Sequence, residues 1–231
     1  MPLNLAVELL APLELKVAPN DVNLEGHAVK IASNRDLAKV QVSLMSDTGT
    51  PMGTTETQVS GTDVGVKYDQ GKGIVMRISI KGWDADGFFG GVDLFPWKVD
   101  IPHEEVNFAS GKSDIDPKEV AKLEASFDKI QAAIQKYGKL ATIKLFIAGH
   151  TDTVSDAAYN RTLSDDRARA IGRWFKKRGV GIPIRYAGFG EDVLLVQTPD
   201  ETDEPKNRRA EYIVAVDPPL VSGNVAFRPL D

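Results

Sequence analysis

The first hundred or so residues of the chain alternate between hydrophobic and polar positions, with the two-residue period of a β-strand. In AKVQVSL at 38–44, one face holds Val40, Val42 and Leu44. In GIVMRISI at 73–80, one face holds Ile74, Met76, Ile78 and Ile80, opposite Arg77 and Ser79. Turn-forming residues separate such runs in three places, which are SDTGTP at 46–51, SGTD at 60–63 and DQGKG at 69–73. About six to eight short strands with this spacing predict an antiparallel β-sandwich over residues 13 to about 100.

A longer period begins in DPKEVAKLEASFDKIQAAIQKYG, where apolar residues recur every three or four positions. Asp116 is suited to cap a helix there, Pro117 to occupy its first position and Gly138 to end it. This pattern predicts a helix over residues 117–137. The stretch NRTLSDDRARAIGRWFKKRG has the same period and belongs to a second predicted helix over 157–178.

The order of predicted elements after residue 103 indicates a second domain. Strands are predicted in EEVNF, TIKLFIAG, IRYAGFG and AEYIVAV, and with the two helices they follow the order β-α-β-α-β-β. This order is typical of helices packed on a mixed sheet. We therefore expect an α+β chain with two domains, a β-sandwich at 1–102 and a mixed-sheet domain at 103–217, followed by a C-terminal tail at 218–231.

Arg167 lies on the face of the second predicted helix that should be buried. At about 100° per residue, one side of this helix collects Leu163, Ile171, Trp174 and Phe175, while the aspartates and most of the basic residues collect on the other. Arg167 falls about 40° from Leu163 and about 40° from Ile171. Because an unpaired charge is costly to remove from water, this guanidinium needs a partner.

Asp152 is the nearest candidate partner for Arg167. It follows the strand TIKLFIAG, and ligands of α/β sheets bind outside the carboxyl ends of strands. In one interpretation the two residues form a structural ion pair, or Arg167 extends outward along its aliphatic stem. In the other, the two charges lie on either side of a shallow pocket and bind a zwitterion, with the carboxylate on Arg167 and the ammonium on Asp152. Asn160 and Ser164 flank Arg167 on the helix and could add hydrogen bonds.

Composition and charge restrict the possible functions. The 231 residues are 42% hydrophobic and 26% charged, which is typical of a globular protein. A net charge of -5 argues against nucleic acid as a partner, because non-specific binding to phosphates needs a basic surface. The absence of cysteine excludes disulfides and thiolate chemistry. The segment 1–17 lacks the basic region of a signal peptide, and no run of uncharged apolar residues is long enough to predict a transmembrane segment.

Motifs for catalysis or metal binding are not found in the sequence. HEEVN at 103–107 lacks the second histidine of a zinc protease, and DADG at 84–87 lacks the downstream glutamate of a calcium loop. No nucleophile elbow or phosphate-binding loop occurs, and the three histidines are widely separated. We expect no catalytic residue, no metal and no cofactor.

Several separated motifs resemble the OmpA-like peptidoglycan-binding domain. The resemblance covers residues 103–217 and rests on VNFASGKSDIDP, GHTDTVSDAAYNRTLSDDRARAIGRWF, AGFGED and KNRRAEYIV, which occur in the family's order. This family is found at the carboxyl end of outer-membrane proteins, in peptidoglycan-associated lipoproteins and in flagellar stator proteins. No family is identified for the N-terminal half.

The resemblance implies that the ligand is the meso-diaminopimelate of a peptidoglycan stem peptide. Asp152 and Arg167 match the family's aspartate and arginine that hold the free amino-carboxylate end of this residue. The loop ASGKSDI at 109–115 resembles the family's turn that lines the site. The other residues that the resemblance assigns to peptidoglycan binding are Phe108, Thr151, Asn160, Ser164, Asn207, Arg208 and Arg209, with the last three expected near the rim of the pocket.

Two positions depart from the pattern of the family. Ser155 stands where the family usually has glycine, so the turn is expected to be reshaped if this position needs a positive φ. The acidic segment PDETDEPK at 199–206 stands where the family often has a basic one. This segment is expected to weaken binding to an anionic polymer.

Non-catalytic anchoring of an envelope protein to the cell wall is the function that the resemblance implies. The partner is then peptidoglycan, and the location is the periplasm or the outer membrane of a Gram-negative bacterium. The alternative is an envelope assembly or adhesion protein. In that case the β-domain binds a protein partner, and the second domain is a scaffold with a degenerate pocket.

Overall fold

The strands and helices are described from a computed structural model that covers residues 11–109, 111–219 and 225–231. Residues 1–10 of the segment that was predicted not to be a signal peptide lie outside the described residues, as do Ser110 of the predicted loop and residues 220–224 of the predicted tail. The chain divides between Pro96 and Trp97 into two units.

The N-terminal unit is built from antiparallel strands. Their bounds are β1 (Leu15–Lys16), β2 (Val22–Asn23), β3 (Ala28–Ser46), β4 (Pro51–Lys67), β5 (Val75–Trp83) and β6 (Phe89–Leu94), and a 3-10 turn (Pro19–Asp21) precedes β2. The aliphatic residues of the predicted strand at 38–44 lie in the core, and so do Ile78 and Ile80. Ile74 was predicted to share this face, but it precedes β5 and is 61% exposed.

The predicted sandwich of two sheets is not confirmed. Among the described residues, hydrogen-bonded ladders join all six strands of this unit into one sheet, in the order β1-β3-β5-β6, with β2 and β4 also paired to β3. The predicted turn SGTD at 60–63 lies inside β4. Opposite it, the register on β3 shifts between Ala32 and Leu37. Because a bulge bends a strand without ending it, polar residues that resemble a turn lie inside one long strand.

In its described residues, the C-terminal unit combines two helices with a five-stranded sheet. Its elements are β7 (Lys98–Asp100), a 3-10 turn (Pro117–Glu119), α1 (Val120–Tyr137), β8 (Lys144–His150), α2 (Ala157–Arg178), β9 (Ile184–Gly190), β10 (Ala210–Ala215) and β11 (Arg228–Pro229). Both predicted helices are confirmed, although the first three residues of the earlier one form the 3-10 turn. Asp116 caps this turn through its carboxylate, which accepts a hydrogen bond from the amide of Lys118 at 2.9 Å.

The sheet of this unit is mixed, as predicted. Its strand order is β11-β9-β8-β10-β7, in which β8 and β9 are parallel and every other pair is antiparallel. Since β8 and β9 are parallel neighbours, their carboxyl ends meet at one edge of the sheet. This edge contains the turn at 151–156 that leads into α2.

The first strand of this domain was predicted at the wrong place. The segment EEVNF at 104–108 forms neither strand nor helix, and β7 pairs with β10 instead. Beyond β7 a side chain takes the place of backbone pairing with β10. The carboxylate of Glu105 accepts a hydrogen bond from the backbone amide of Ala210 at 2.9 Å. Outside the predicted domain, β11 in the tail pairs with β9, and Phe227 is buried.

The buried face of α2 differs from the prediction. Its buried residues are Asn160, Ser164, Ala168, Ile171, Gly172 and Phe175. Leu163, Arg167 and Trp174 are only half-buried and lie along one edge of this stripe. Small residues face the sheet because the helix packs very closely on it: a Cβ atom added to Gly149 would lie 2.2 Å from the carbonyl oxygen of Ser164. Arg167 is therefore at the margin of the buried face rather than in its middle.

Candidate ligand-binding site

A cleft of about 780 Å³ opens at the carboxyl end of β8. Its walls come from the segment before α1, the turn after β8, the N-terminal half of α2 and the segment before β10. The cleft lies where the strand order predicted a ligand site, because loops at the carboxyl ends of parallel strands converge there. Arg167 and Asp152 both line it.

Arg167 contacts the loop before α1. Its Nε donates a hydrogen bond to the carbonyl oxygen of Lys112 at 3.0 Å, and Nη2 donates to that of Ala109 at 3.5 Å. Its guanidinium carbon lies 5.1 Å from the centre of the Phe108 ring, within the range of a cation–π contact. Burial lowers the pKa of Arg167, while Tyr159 and Asp152 act in the opposite direction. Arg167 thus remains a cation held by neutral partners.

Asp152 is paired with Arg208 and not with Arg167. Oδ2 of Asp152 accepts a hydrogen bond from Nη1 of Arg208 at 2.5 Å, and the Asp152 side chain is only 9% exposed. The same Nη1 also donates to Asp203, which belongs to the acidic segment 199–206. No ion pair joins Arg167 to Asp152 within residues 11–109, 111–219 and 225–231. The structural ion pair considered for these two residues is therefore not formed.

Thr151 carries an unpaired hydroxyl at the cleft. The residue lines the cleft and is 2% exposed, and its Oγ1 has no hydrogen-bond partner among the described residues. Its amide donates to the carbonyl oxygen of Gly190 at 2.9 Å, which fixes the turn after β8 against the end of β9. An unpaired buried hydroxyl is costly, so this group is available to a polar ligand atom.

His150 is buried and neutral. Its ring is fully buried and stacks on Phe189, with 5.4 Å between ring centres. Burial lowers the pKa of His150 to about 3, and the nearby Arg209 acts in the same direction. Although Glu211 lies 3.6 Å from Nε2, this distance is too long for a hydrogen bond.

Asn160 and Ser164 hold the backbone of the site in place. The side-chain amide nitrogen Nδ2 of Asn160 donates to the carbonyl oxygen of Val154 at 3.0 Å and to the carboxylate of Glu191 at 2.6 Å. Asn160 also lines the cleft, whereas Ser164 does not. The hydroxyl of Ser164 accepts a hydrogen bond from the amide of Gly190 at 2.9 Å and donates to the helix backbone. The structure therefore does not bring Ser164 to the cleft.

The NRR motif divides between structural and cleft-lining residues. Asn207 was expected near the rim, but it is completely buried and does not line the cleft. Its side chain accepts from the amides of Leu195 and Val196, both at 2.9 Å, and so fixes that loop. Arg208 and Arg209 do line the cleft. Arg209 is also ion-paired with Glu211 at 2.9 Å.

Ser155 adopts the left-handed conformation that the comparison with the family suggested for this position. Its φ is 78°, which is uncommon for a residue with a side chain. Asn160 supports this conformation by donating to the carbonyl oxygen of Ser155 at 3.3 Å.

The acidic segment 199–206 reaches the cleft through Asp203, which was not among the site residues predicted from the sequence. The hydroxyl of Thr153 donates to the carbonyl oxygen of Pro199 at 2.8 Å and accepts from the amide of Thr202 at 3.0 Å. Asp203 consequently lines the cleft. The only signal in the sequence was the position of this segment just before the NRR motif.

Two further properties of the described residues bear on function. They contain no group of three or more histidine, aspartate or glutamate side chains that could hold a metal ion. None of the helices in this part of the chain has both the length and the apolar character needed to cross a bilayer.

Residues 107–208 match the model of the OmpA family. Among curated relatives, the photosystem I P700 chlorophyll a apoprotein A2 of Gloeobacter violaceus is 33% identical over 156 residues, which are 64% of this chain and 16% of that protein. Outer membrane protein P5 of Haemophilus influenzae is 28% identical over 109 residues, which are 47% of this chain and 28% of that protein. The chain thus spans less than a third of either relative.

The solved structures that resemble this chain include the following two. The peptidoglycan-associated lipoprotein from Burkholderia pseudomallei has 23% identity and a TM-score of 0.39, with 48% of this chain and 88% of that chain covered. The cell wall anchor of the T6SS from Pseudomonas aeruginosa has 16% identity and a TM-score of 0.38, with 63% of this chain and 86% of that chain covered.

Proposed function

Because residues 107–208 form a domain of the OmpA family, we propose that this domain binds peptidoglycan and holds the protein at the cell wall. The proposed ligand is the diaminopimelate residue of a stem peptide, whose free end carries an ammonium and a carboxylate. The domain acts as a binding module and not as an enzyme.

The state of Arg167 is the observation that carries this proposal. Its guanidinium lines the cleft and contacts only backbone carbonyl oxygens and the Phe108 ring among the described residues. Its hydrogen-bond partners are neutral and no carboxylate is ion-paired with it among the described residues, and a guanidinium binds a carboxylate with two parallel hydrogen bonds. A ligand carboxylate is therefore the partner that this cation lacks.

The neighbouring groups suit the other polar atoms of such a ligand. Asp152 lies at the cleft as an acceptor for the ligand ammonium, and the hydroxyl of Thr151 is free to bond. Phe108 contributes an apolar wall beside Arg167. Asn160 and Asn207 support the site by fixing the loops around it, and Ser164 does so by fixing the end of β9.

We also propose a location in the cell envelope of a Gram-negative bacterium, on the periplasmic side or associated with the outer membrane. A relative over the matched region is named as an outer membrane protein, which supports this location. The subunit role of the photosystem relative is not transferred, because this chain covers 16% of that protein. A protein partner for the N-terminal unit is part of the alternative function and has no support from a specific contact.

Sedimentation of the full chain with insoluble diaminopimelate-type peptidoglycan tests the proposal. We expect Arg167→Ala to lower the affinity about 10- to 100-fold, since a charge-assisted hydrogen bond contributes about 1.5–3 kcal/mol. Arg167→Lys should restore little, because an ammonium cannot form the paired contact. Arg173→Ala is the matched control, because Arg173 is exposed on the same helix and does not line the cleft.

Two results would contradict the proposal. The first is equal sedimentation of the parent, Arg167→Ala and Asp152→Asn in samples with the same circular dichroism spectrum. The second is equal binding to peptidoglycan whose stem peptide carries lysine in place of diaminopimelate. The first result would favour the alternative, in which the domain is a scaffold and another surface binds a protein partner. The second would leave peptidoglycan as the ligand but exclude recognition of the diaminopimelate carboxylate.

A further inference from the structure

The charge of Asp152 is already compensated in the free protein. Its carboxylate accepts a hydrogen bond from Arg208 Nη1 at 2.5 Å. An Asp152–Arg208 pair alone has no net charge, so it would attract a ligand ammonium only weakly. A second negative charge is needed if this side of the cleft is to favour a cation.

Asp203 supplies a second negative charge at the same nitrogen. Nη1 of Arg208 donates to Asp203 as well as to Asp152, and all three residues line the cleft. Two carboxylates that share one guanidinium leave one net negative charge. This charge is that of Asp152, Asp203 and Arg208 together. The other charged residues that line the cleft are Arg209, which is paired with Glu211, Arg167, which contacts the loop before α1, Glu105, which bonds the amide of Ala210, and the exposed Lys206.

The position of Asp203 is built into the fold by its segment. Thr153 is buried next to Asp152, and its hydroxyl bonds both ends of residues 199–202. It donates to the carbonyl oxygen of Pro199 at 2.8 Å and accepts from the amide of Thr202 at 3.0 Å. The backbone amide of Glu201 also donates to the carbonyl oxygen of Thr153 at 2.9 Å. The acidic segment is therefore held against the turn after β8 by hydrogen bonds on both sides of Glu201.

We propose that Asp203 is a specificity-determining residue, which makes one side of the cleft net negative and so selects ligands that carry an ammonium group next to their carboxylate. This inference rests on the proposed function and reverses the expectation that the acidic segment weakens binding. Asp203 and Asp152 share Arg208 as a common counter-ion, and the ligand ammonium binds beside them. The ligand carboxylate binds at Arg167.

Binding of two soluble peptides to the full chain tests this role. The first peptide is the stem tripeptide that ends in meso-diaminopimelate, and the second contains 2-aminopimelate, which lacks the distal ammonium. We expect Asp203→Asn to weaken the first peptide about two- to five-fold, the range for an exposed charge pair, because the Asp203 side chain is 74% exposed. The second peptide should bind equally well or better to Asp203→Asn. The difference between the peptides should shrink at about 1 M salt, where exposed charges are screened.

Glu201→Gln is the matched control, because it removes the same charge from the same segment at an exposed residue that does not line the cleft. It should leave the affinities of both peptides unchanged. The inference is overturned if Asp203→Asn binds the diaminopimelate peptide as well as the parent does, or more tightly. Tighter binding would mean that the Asp203 carboxylate competes with the ligand for Arg208. Failure of the proposed function gives a different result, because the Arg167→Ala variant would then bind both peptides with the same affinity as the parent does.

Discussion

His103 shows how one side chain can stabilise the segment that leads into the cleft. Its Nδ1 lies 2.7 Å from the carbonyl oxygen of Ile101, and Nε2 lies 2.7 Å from that of Ala210. Both partners are acceptors, so both nitrogens must donate, which only the protonated imidazolium can do. The ring also stacks on Tyr212, with 4.0 Å between ring centres. The protonated ring therefore fastens the start of residues 101–108 to β10.

The charge of His103 predicts that the free energy of unfolding falls at alkaline pH. Burial lowers the pKa of His103, but the nearby carboxylate of Glu105 and the hydrogen bonds to the two carbonyl oxygens outweigh it, so the pKa is raised overall. A raised pKa in the folded state stabilises the protein below the unfolded pKa of about 6.5, and this contribution is lost as the pH rises through the folded value. His150 has a lowered pKa and acts oppositely, since its contribution is lost as the pH falls below about 6.5.

Urea unfolding of the parent and of His103→Gln between about pH 6.5 and pH 9 tests this prediction. The parent should lose unfolding free energy across this window, and the variant should show a smaller slope because glutamine does not titrate. His150 remains in both proteins, so its contribution to the slope is the same in each. A slope that is the same in both proteins would mean that the His103 ring is neutral and that one of its two contacts is not a hydrogen bond.

At the scale of elements, close packing of α2 on the sheet determines which way its side chains point. Glycines in β8 and β9 lie against the helix: a Cβ atom on Gly188 would be 2.3 Å from the amide nitrogen of Asp165, and Gly149 is similarly close to Ser164. A helix so close to a sheet cannot place bulky side chains at the contact. Its buried stripe consequently contains Ser164 and Ala168, and Trp174 lies at the edge.

Sequence patterns predicted the extent of the elements better than their orientation. Both helices were located because caps and period depend on local residues, such as Asp116 at the start of the first one. The orientation of α2 was wrong by part of a turn, because hydrophobic size was taken to indicate burial while the contact is made by small residues. The long strand β4 was missed because SGTD at 60–63 resembles a turn and only pairing with β3 makes it a strand.

The candidate site was likewise predicted only in part from the sequence. The carboxyl end of β8 and the cleft-lining positions Asp152 and Arg167 followed from strand order and from the family motif. The sharing of Arg208 by Asp152 and Asp203 did not, because it depends on how the segment at 199–206 folds back onto Thr153. Hydrogen bonds between residues so far apart in the chain leave no periodic signal in the sequence.

Gly188→Ala should destabilise the protein because it forces α2 away from the sheet. The added Cβ would lie 2.3 Å from a backbone atom, which cannot move without moving the helix. Overpacking of this kind costs about 1–3 kcal/mol or more. Gly181→Ala is the matched control, because nothing lies within 4 Å of its added Cβ, and its effect should stay within about 0.5 kcal/mol. Urea denaturation that gives equal midpoints for the two variants would show that α2 is not packed as described.

At the scale of the whole molecule, the boundary between the two units lies before β7. Trp97 is buried at 3% exposure, and its ring centre is 4.5 Å from that of Tyr137 in α1. The amide of Ile101 continues the pairing of β7 by donating to the carbonyl oxygen of Tyr212 at 2.8 Å. Residues 97–102 therefore belong to the packing of the C-terminal unit, although the sequence placed them at the end of the N-terminal domain.

A fragment of residues 97–231 should fold by itself and bind the cell wall, whereas a fragment of residues 103–231 should be much less stable. The shorter fragment lacks β7 and removes the buried Trp97, and deletion of a large buried aromatic side chain costs about 3–5 kcal/mol. Trp97→Ala in the longer fragment separates the loss of the side chain from the loss of the strand. Thermal unfolding followed by circular dichroism measures stability, and sedimentation with diaminopimelate-type peptidoglycan measures binding.

The two-unit description is wrong if the longer fragment shows no cooperative transition. The boundary is wrong if both fragments unfold at the same temperature, because residues 97–102 would then contribute nothing to the fold that carries Arg167.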